Sequence, residues 1–319
     1  MADDETIYVL TGPTAVGKTE LSLRWAETFD AEIVSCDSLL FYRGMDIGTA
    51  KPTKSERARV PHHLIDIAEV DDPIDIRRYL DLAEQAIAGI RARSKRVLVC
   101  GGSGFYLRSF FHPVADSVEI PEAVRIAVEQ RLEKDGLAAL VRELGPLNPG
   151  GMQQLDTLNP RRVVRALERC LASGLTLAQL KEAMLGQTNS LIEARKVAVR
   201  LERDRDDLND RIDRRIRAML DEGLIEEVRK LMSCGLRSNP SAARAVGYGE
   251  TMEWLSRGDS TEVLAESIGV HTRRLVRKQR SWFRNQMPEY GVIVLQEAGE
   301  FPASELFDSD SPGGTMAMP

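Results

Sequence analysis

Gly12-Pro13-Thr14-Ala15-Val16-Gly17-Lys18-Thr19 fits the pattern G-x-x-x-x-G-K-[ST] at every fixed position. The apolar run Ile7-Tyr8-Val9-Leu10 precedes it, and Leu21, Leu23, Trp25 and Ala26 follow in a helical pattern. A phosphate loop belongs at such a junction, between a buried strand and a helix N-terminus. There several backbone N–H groups can turn inward on an anion, and the helix dipole adds partial positive charge. Lys18 contributes a full charge, and the Thr19 hydroxyl is a hard oxygen ligand of the kind Mg²⁺ takes. The stretch predicts a polyphosphate grip with ATP as the obvious guest. It leaves open what is done with the guest.

Strand patterns recur at 6–11, 32–36 and 97–101, with a helix expected near 74–92. Buried strands with crossover helices predict an α/β fold, a P-loop NTPase-like core around a mostly parallel sheet. Ligands gather beyond the carboxyl ends of such strands. Asp37-Ser38 and Gly101-Gly102-Ser103-Gly104 each lie just past one. From 115 to 190 only helical patterns follow, near 160–173 and 176–185 among others, so this block is expected to be an all-helical insertion domain. Residues 195–203 alternate like a returning strand. Helices are expected near 205–221, 223–234, 241–257 and 260–285, and a last short strand at 292–295. The core is therefore assigned to 1–114 and 191–296, and 297–319 to an acidic tail without fixed structure.

Hydrophobic content of 43% and charged content of 29% describe a globular chain, and no apolar run reaches the ~20 residues of a membrane span. The acidic N-terminus is wrong for a signal or transit peptide, so the cytoplasm is the expected compartment. The four cysteines show no zinc spacing, and His62-His63 lacks a third ligand, which favours a buried or loop-stabilising pair. The net charge of −6 argues at first against a nucleic-acid partner. Yet Glu297, Glu300, Glu305, Asp308 and Asp310 sit in the tail, while arginines cluster at 161–169, 211–217 and 273–284. Local basic stripes decide phosphate-backbone binding more than total charge does.

The stretch from Asp37 to Pro52 matches D-S-x-x-x-Y-[KR]-G-M-D-I-G-T-A-K-P at every fixed position. Together with the phosphate loop it closely resembles the tRNA dimethylallyltransferase, or tRNA isopentenyltransferase, family. Pro61-His62-His63-Leu64-Ile65-Asp66, Val99 to Tyr106, Arg162 to Glu168, Arg211-Ile212 with Arg215 and Met219, and Ala245-Val246-Gly247-Tyr248 resemble further family blocks in order. No zinc-finger pattern follows residue 285, as in the short bacterial type.

The resemblance implies transfer of a dimethylallyl group from dimethylallyl diphosphate to the exocyclic N6 amine of the adenosine 3′-adjacent to the anticodon. Gly12, Pro13, Thr14, Ala15, Val16, Gly17, Lys18 and Thr19 would then hold the leaving diphosphate, with Mg²⁺ on Thr19. Catalysis would rest on electrostatic stabilisation and alignment. Arg211 and Arg215, four apart and on one helix face, would join Lys18, whereas Arg214 and Arg217 are expected to be solvated. Asp37 is the expected general base, because an adenine amine is poorly nucleophilic until its proton is drawn off. It could instead cap the turn or serve a magnesium ion. Ser103 stands where the family usually has Thr; it keeps the hydroxyl donor and loses the methyl group that restrains its rotamer.

For tRNA the resemblance implies Asp37, Ser38, Leu39, Leu40 and Ser103 around an extruded adenine. Arg125, Arg161, Arg162, Val163, Val164 and Arg165 on insertion helices, and Arg244, Gly247 and Tyr248, would hold the anticodon arm. The stripe from His271 to Arg284, with Trp282 and Phe283, could meet backbone phosphates, pack on the core, or both. A monomer is expected. Three alternatives explain part of this pattern: a small-molecule phosphotransferase, an adenylate isopentenyltransferase acting on free nucleotides, and a non-catalytic tRNA-binding module. The first leaves 37–52, the basic helices and the helical insertion unexplained, and the elements expected to grip tRNA at 161–169 and 244–248 weigh against the second. The set Lys18, Thr19 and Asp37 weighs against the third.

Overall fold

A computed structural model describes residues 5–114, 118–287, 290–296 and 301–308. The chain divides into two compact units, residues 1–111 with 193–319, and residues 112–192.

In the first unit β1 (Ile7–Thr11) leads through the phosphate loop into α1 (Lys18–Phe29) and β2 (Ala31–Ser35). Then come α2 (Lys54–Arg59), β3 (His62–His63), α3 (Ile76–Ala92), β4 (Arg96–Gly101) and α4 (Gly104–Arg108). The second unit holds α5 (Glu122–Asp135), α6 (Leu137–Leu144), α7 (Pro160–Ser173) and α8 (Leu177–Leu185), and α9 (Ser190–Glu193) closes it. The first unit resumes with β5 (Lys196–Arg203), α10 (Arg205–Asp221), α11 (Leu224–Ser233), α12 (Pro240–Ala243), α13 (Tyr248–Arg257), α14 (Thr261–Gln286) and β6 (Gly291–Leu295).

Among the described residues six strands form one parallel sheet in the order β3-β2-β4-β1-β5-β6. β1 and β2 are buried almost throughout, as strands covered on both faces must be. Parallel pairing brings the ends of β1, β2 and β4 level: Thr11 pairs with Gly101, and Ser35 with Cys100. The approach is close at Gly101, where a Cβ would overlap the carbonyl oxygen of Cys36. Glycine there lets the turns after β2 and β4 meet.

The second unit packs Val128, Leu140, Leu144, Val163, Ala166, Leu167, Cys170 and Leu180 into one core. Asn159 caps α7 through the Arg162 N–H, Pro160 stands in the first turn, and Gly174 ends the helix at φ +70°. Buried Asn148 donates to Leu144 O at 3.0 Å and accepts from Leu177 N–H at 2.7 Å, tying two loops together.

Three expectations need correction. His62-His63 is not loop but a short edge strand on β2. Two residues carry too little periodicity to register as a strand. The helix expected over 241–257 is two helices, α12 and α13, separated at Gly247 with φ +95°. The acidic tail was expected to be unstructured from 297, yet 301–308 is packed. Leu306 is fully buried, Phe307 lies against Tyr8 and Trp25, and Arg24 donates to Phe301 O at 2.6 Å. Apolar Phe301, Leu306 and Phe307 outweigh the surrounding charge. Residues 297–300 and 309–319 lie outside the described residues.

Candidate active site

The phosphate loop curls because three of its residues take positive φ: Gly12 at 148°, Ala15 at 63° and Gly17 at 110°. At Gly12 a Cβ would come within 2.6 Å of Leu201 O, so the loop lies flush on β5. Its outward carbonyls are held by cations. Lys18 Nζ donates to Gly12 O at 3.0 Å and Pro13 O at 2.8 Å. Arg211 Nε donates to Ala15 O at 2.8 Å, and Arg203 Nε to Val16 O at 3.1 Å. With these carbonyls engaged and the Thr14 N–H given to Gln279, the curl of the loop suits its remaining N–H groups to an anion.

A cavity of about 880 Å³ opens over the carboxyl ends of the strands. Lys18 and Thr19 line it from the loop, Asp37 to Leu40 from the turn after β2, Ser103 from the turn after β4, and Arg211 and Arg215 from α10. Burial lowers the Lys18 ammonium below its ordinary value, while Cys100 and Asp37 pull it back up. Burial raises the Asp37 carboxyl, against the Leu39 N–H, Lys18 and Arg215, which favour its charge. Leu39 N–H donates to Asp37 Oδ1 at 3.2 Å and orients the carboxylate. Ser38 N–H donates to Ser103 Oγ at 3.1 Å, linking the two turns. The Arg215 guanidinium donates to Thr14 Oγ1 at 3.4 Å and Thr49 O at 3.0 Å, and burial lowers its affinity for its proton. Cations and a half-buried carboxylate thus share one cavity, suited to holding an anion beside a group that must lose a proton.

Of the expected phosphate loop, Thr14, Ala15, Gly17, Lys18 and Thr19 line this cavity. Among the described residues no cluster of three or more His, Cys, Asp or Glu could hold a metal ion. The Thr19 hydroxyl on the cavity lining could give a divalent cation one hard oxygen ligand, the rest of whose shell would be phosphate oxygens and water. His62 Nδ1 pairs with Val60 O at 2.7 Å, and His63 Nε2 with buried Glu32 at 2.6 Å. Arg214, expected to be solvated, is exposed but stands on the cavity lining.

The residues expected to meet tRNA divide by burial. Arg125 on α5 and Arg161, Arg162 and Arg165 on α7 are exposed. Arg165 donates to buried Glu168 at 3.0 Å. Val164 is half-buried, but Val163 is wholly buried in the core of the second unit. That corrects its assignment: it packs and cannot touch a ligand. Arg244 is exposed at the end of α12, and Gly247 lines the cavity. Tyr248 is a second correction. It is fully buried, and its hydroxyl donates to Glu227 Oε1 at 2.6 Å.

Sequence reasoning missed Arg203, Glu227 and Gln279. Gln279 Oε1 accepts the Thr14 N–H at 3.0 Å and its Nε2 donates to Gly102 O at 3.1 Å, so α14 joins the loops after β1 and β4. Trp282 fills the space that a Cβ on Gly104 would need. In the mixed basic and aromatic stripe of α14, packing and not periodicity decides which residues face inward.

A family model described as IPP transferase matches residues 40–286. The tRNA dimethylallyltransferase of Opitutus terrae is 53% identical over 300 residues, 93% of this chain and 96% of that protein. That of Exiguobacterium sp. is 38% identical over 310 residues, 95% and 94% of the two chains. The solved tRNA isopentenylpyrophosphate transferase of Bacillus halodurans superposes with a TM-score of 0.66 at 32% identity, covering 95% of this chain and 93% of its own. A eukaryotic dimethylallyltransferase solved acting on tRNA shares the fold, with a TM-score of 0.76 at 23% identity over 96% of this chain and 76% of its own. The chain belongs to the IPP transferase family, the tRNA dimethylallyltransferases.

Proposed function

We propose that this cavity transfers a dimethylallyl group from dimethylallyl diphosphate to the N6 amine of the adenosine 3′-adjacent to the anticodon of a tRNA. The observation that carries the reading is the convergence of Lys18, Asp37, Ser103 and Arg215 on one cavity. The allylic carbon–oxygen bond breaks, a carbon–nitrogen bond forms, and the amine proton passes to Asp37. Diphosphate leaves with the electron pair of the broken bond.

Lys18, the loop N–H groups, Arg211 and Arg215 stabilise charge as it develops on the leaving oxygen. Mg²⁺ would be held by Thr19 and would neutralise part of the diphosphate charge. Ser103 contributes a hydroxyl beside Ser38. Asp37, oriented by the Leu39 N–H, aligns the amine, and burial equips it to accept a proton. Ser38, Leu39, Leu40 and Gly247 would line the place of the extruded adenine, which is cheap to extrude from a single-stranded loop. Arg125, Arg161, Arg162 and Arg244 are exposed cations available to backbone phosphates.

Incubating the protein with unmodified tRNA, dimethylallyl diphosphate and Mg²⁺, then digesting to nucleosides, should give N6-dimethylallyladenosine by mass spectrometry. Unchanged adenosine would reject the reading. No described helix is long and apolar enough to cross a membrane. Action in the cytoplasm as a monomer belongs to the same proposal, and light scattering checks the monomer.

A further inference from the structure

We infer that Glu227, on α11, is a positioning residue that fixes one wall of the cavity and, through it, the guanidinium of Arg215. The inference rests on reading the cavity as the diphosphate site.

Glu227 meets four donors. Its Oε2 accepts the N–H groups of Asp46 at 3.0 Å and Ile47 at 2.7 Å. Its Oε1 accepts the N–H of Gly48 at 3.2 Å and the Tyr248 hydroxyl at 2.6 Å. An ionised carboxylate is an acceptor at both oxygens, so it alone among side chains of this size satisfies all four. A glutamine would turn an NH₂ toward at least one of these N–H groups.

The turn held in this way is part of the site. Gly48, Thr49 and Ala50 line the cavity, and Thr49 O accepts from Arg215 at 3.0 Å. Tyr248 presses on the same turn: a Cβ on Gly48 would come within 2.5 Å of its ring. Burial of the Tyr248 hydroxyl, reinforced by Glu227, holds its proton in place as a donor. Glu227 is half-buried and is not on the cavity lining, so it acts through the turn and not on the substrate. Local bonds shape the turn itself, such as Ala50 N–H to Ile47 O at 2.9 Å, whereas Glu227 ties it to α11, about 180 residues away.

The test uses the full chain, with Glu227→Gln, Tyr248→Phe, Arg215→Ala and the Glu227→Gln/Arg215→Ala double variant. Titration calorimetry with inorganic diphosphate in Mg²⁺ buffer reads the site, and steady-state prenyl transfer reads KM and kcat. Glu227→Gln should weaken diphosphate binding and raise the KM for dimethylallyl diphosphate roughly ten-fold or more, leaving the KM for tRNA within two-fold. Tyr248→Phe, which removes one donor of four, should give a smaller shift in the same direction. Added to Arg215→Ala, Glu227→Gln should cost little more, because its effect runs through that arginine. Full additivity in the double variant, or unchanged diphosphate binding in Glu227→Gln with wild-type circular dichroism, overturns the inference. If Glu227→Gln does not fold, Tyr248→Phe in the two arginine backgrounds answers the same question. Failure of the wild-type chain to bind diphosphate or transfer the prenyl group would overturn the reading of the cavity instead.

Discussion

The backbone N–H of Thr14 donates to Oε1 of Gln279 at 3.0 Å, joining residues 265 apart in sequence. The same amide donates from Nε2 to Gly102 O at 3.1 Å, so one side chain sets the spacing of two loops that face the cavity. Gln279→Ala removes both bonds and leaves two half-buried backbone groups unpaired. A drop in kcat/KM for dimethylallyl diphosphate of about ten-fold is expected, near 1–2 kcal/mol. Steady-state kinetics at fixed tRNA checks this, and unchanged kinetics would show that the two loops hold their spacing alone.

Asp37 has its proton affinity raised first of all by burial. As a base it must be ionised, so the acid limb of kcat/KM should lie above the ~3.9 of an ordinary aspartate. Asp37→Asn should lower kcat by about 10²–10⁴-fold. The sign for stability is the opposite of that for activity. A raised carboxyl pKa means the native state binds protons more readily than the unfolded chain, so its favourable term exists at low pH and is lost as pH rises through the folded value. At pH 7 the charged Asp37 therefore opposes folding. Asp37→Asn should melt higher than wild type at pH 7, with the gap closing toward acid. Calorimetry across pH measures both limbs.

Arg162 and Arg165 share α7 but should behave differently. Arg162 is exposed and makes no side-chain ion pair among the described residues, whereas Arg165 pairs with buried Glu168. Arg162→Ala should weaken tRNA binding and reduce the slope of log K against log salt by about one. Arg165→Ala should also destabilise the second unit by about 1–3 kcal/mol, because it strands a buried carboxylate. Filter binding at several salt concentrations and urea unfolding separate the two effects.

Leu306 is fully buried at the end of the packed 301–308 segment. Leu306→Ala should cost about 2–4 kcal/mol in chemical denaturation while leaving transfer kinetics near wild type. Stability within 0.5 kcal/mol of wild type would mean the segment contributes little to the fold.

Much of the fold was legible in the sequence because local patterns are repeated by tertiary structure. The strand at 7–11, the loop at 12–19 and the α1 helix each follow from apolar spacing and from glycines at turns. Asp37 and Ser103 were identifiable because strand ends are where α/β sheets place their chemistry. Val163 and Tyr248 were misassigned for one reason. A motif names positions that matter, but does not say whether they matter by touching a ligand or by packing. Val163 carries the core of a helical unit, and Tyr248 serves a hydrogen bond to Glu227.

By itself the sequence determined the parallel α/β core, the helical block between its halves, and a polyphosphate loop followed by a carboxylate at the next strand end. These are local matters of period, turn chemistry and chain order. Only the tertiary structure decided which polar groups serve one another. Gln279, Arg203 and Glu227 lie about 180 to 265 residues from the loops they hold. A lone Gln or Glu on a helix, or an Arg at a strand end, has no sequence signature, since most of its partners here are backbone groups that every residue carries. Packing α10, α11 and α14 against the strand ends selects which of those groups they meet, and so gives the cavity its shape.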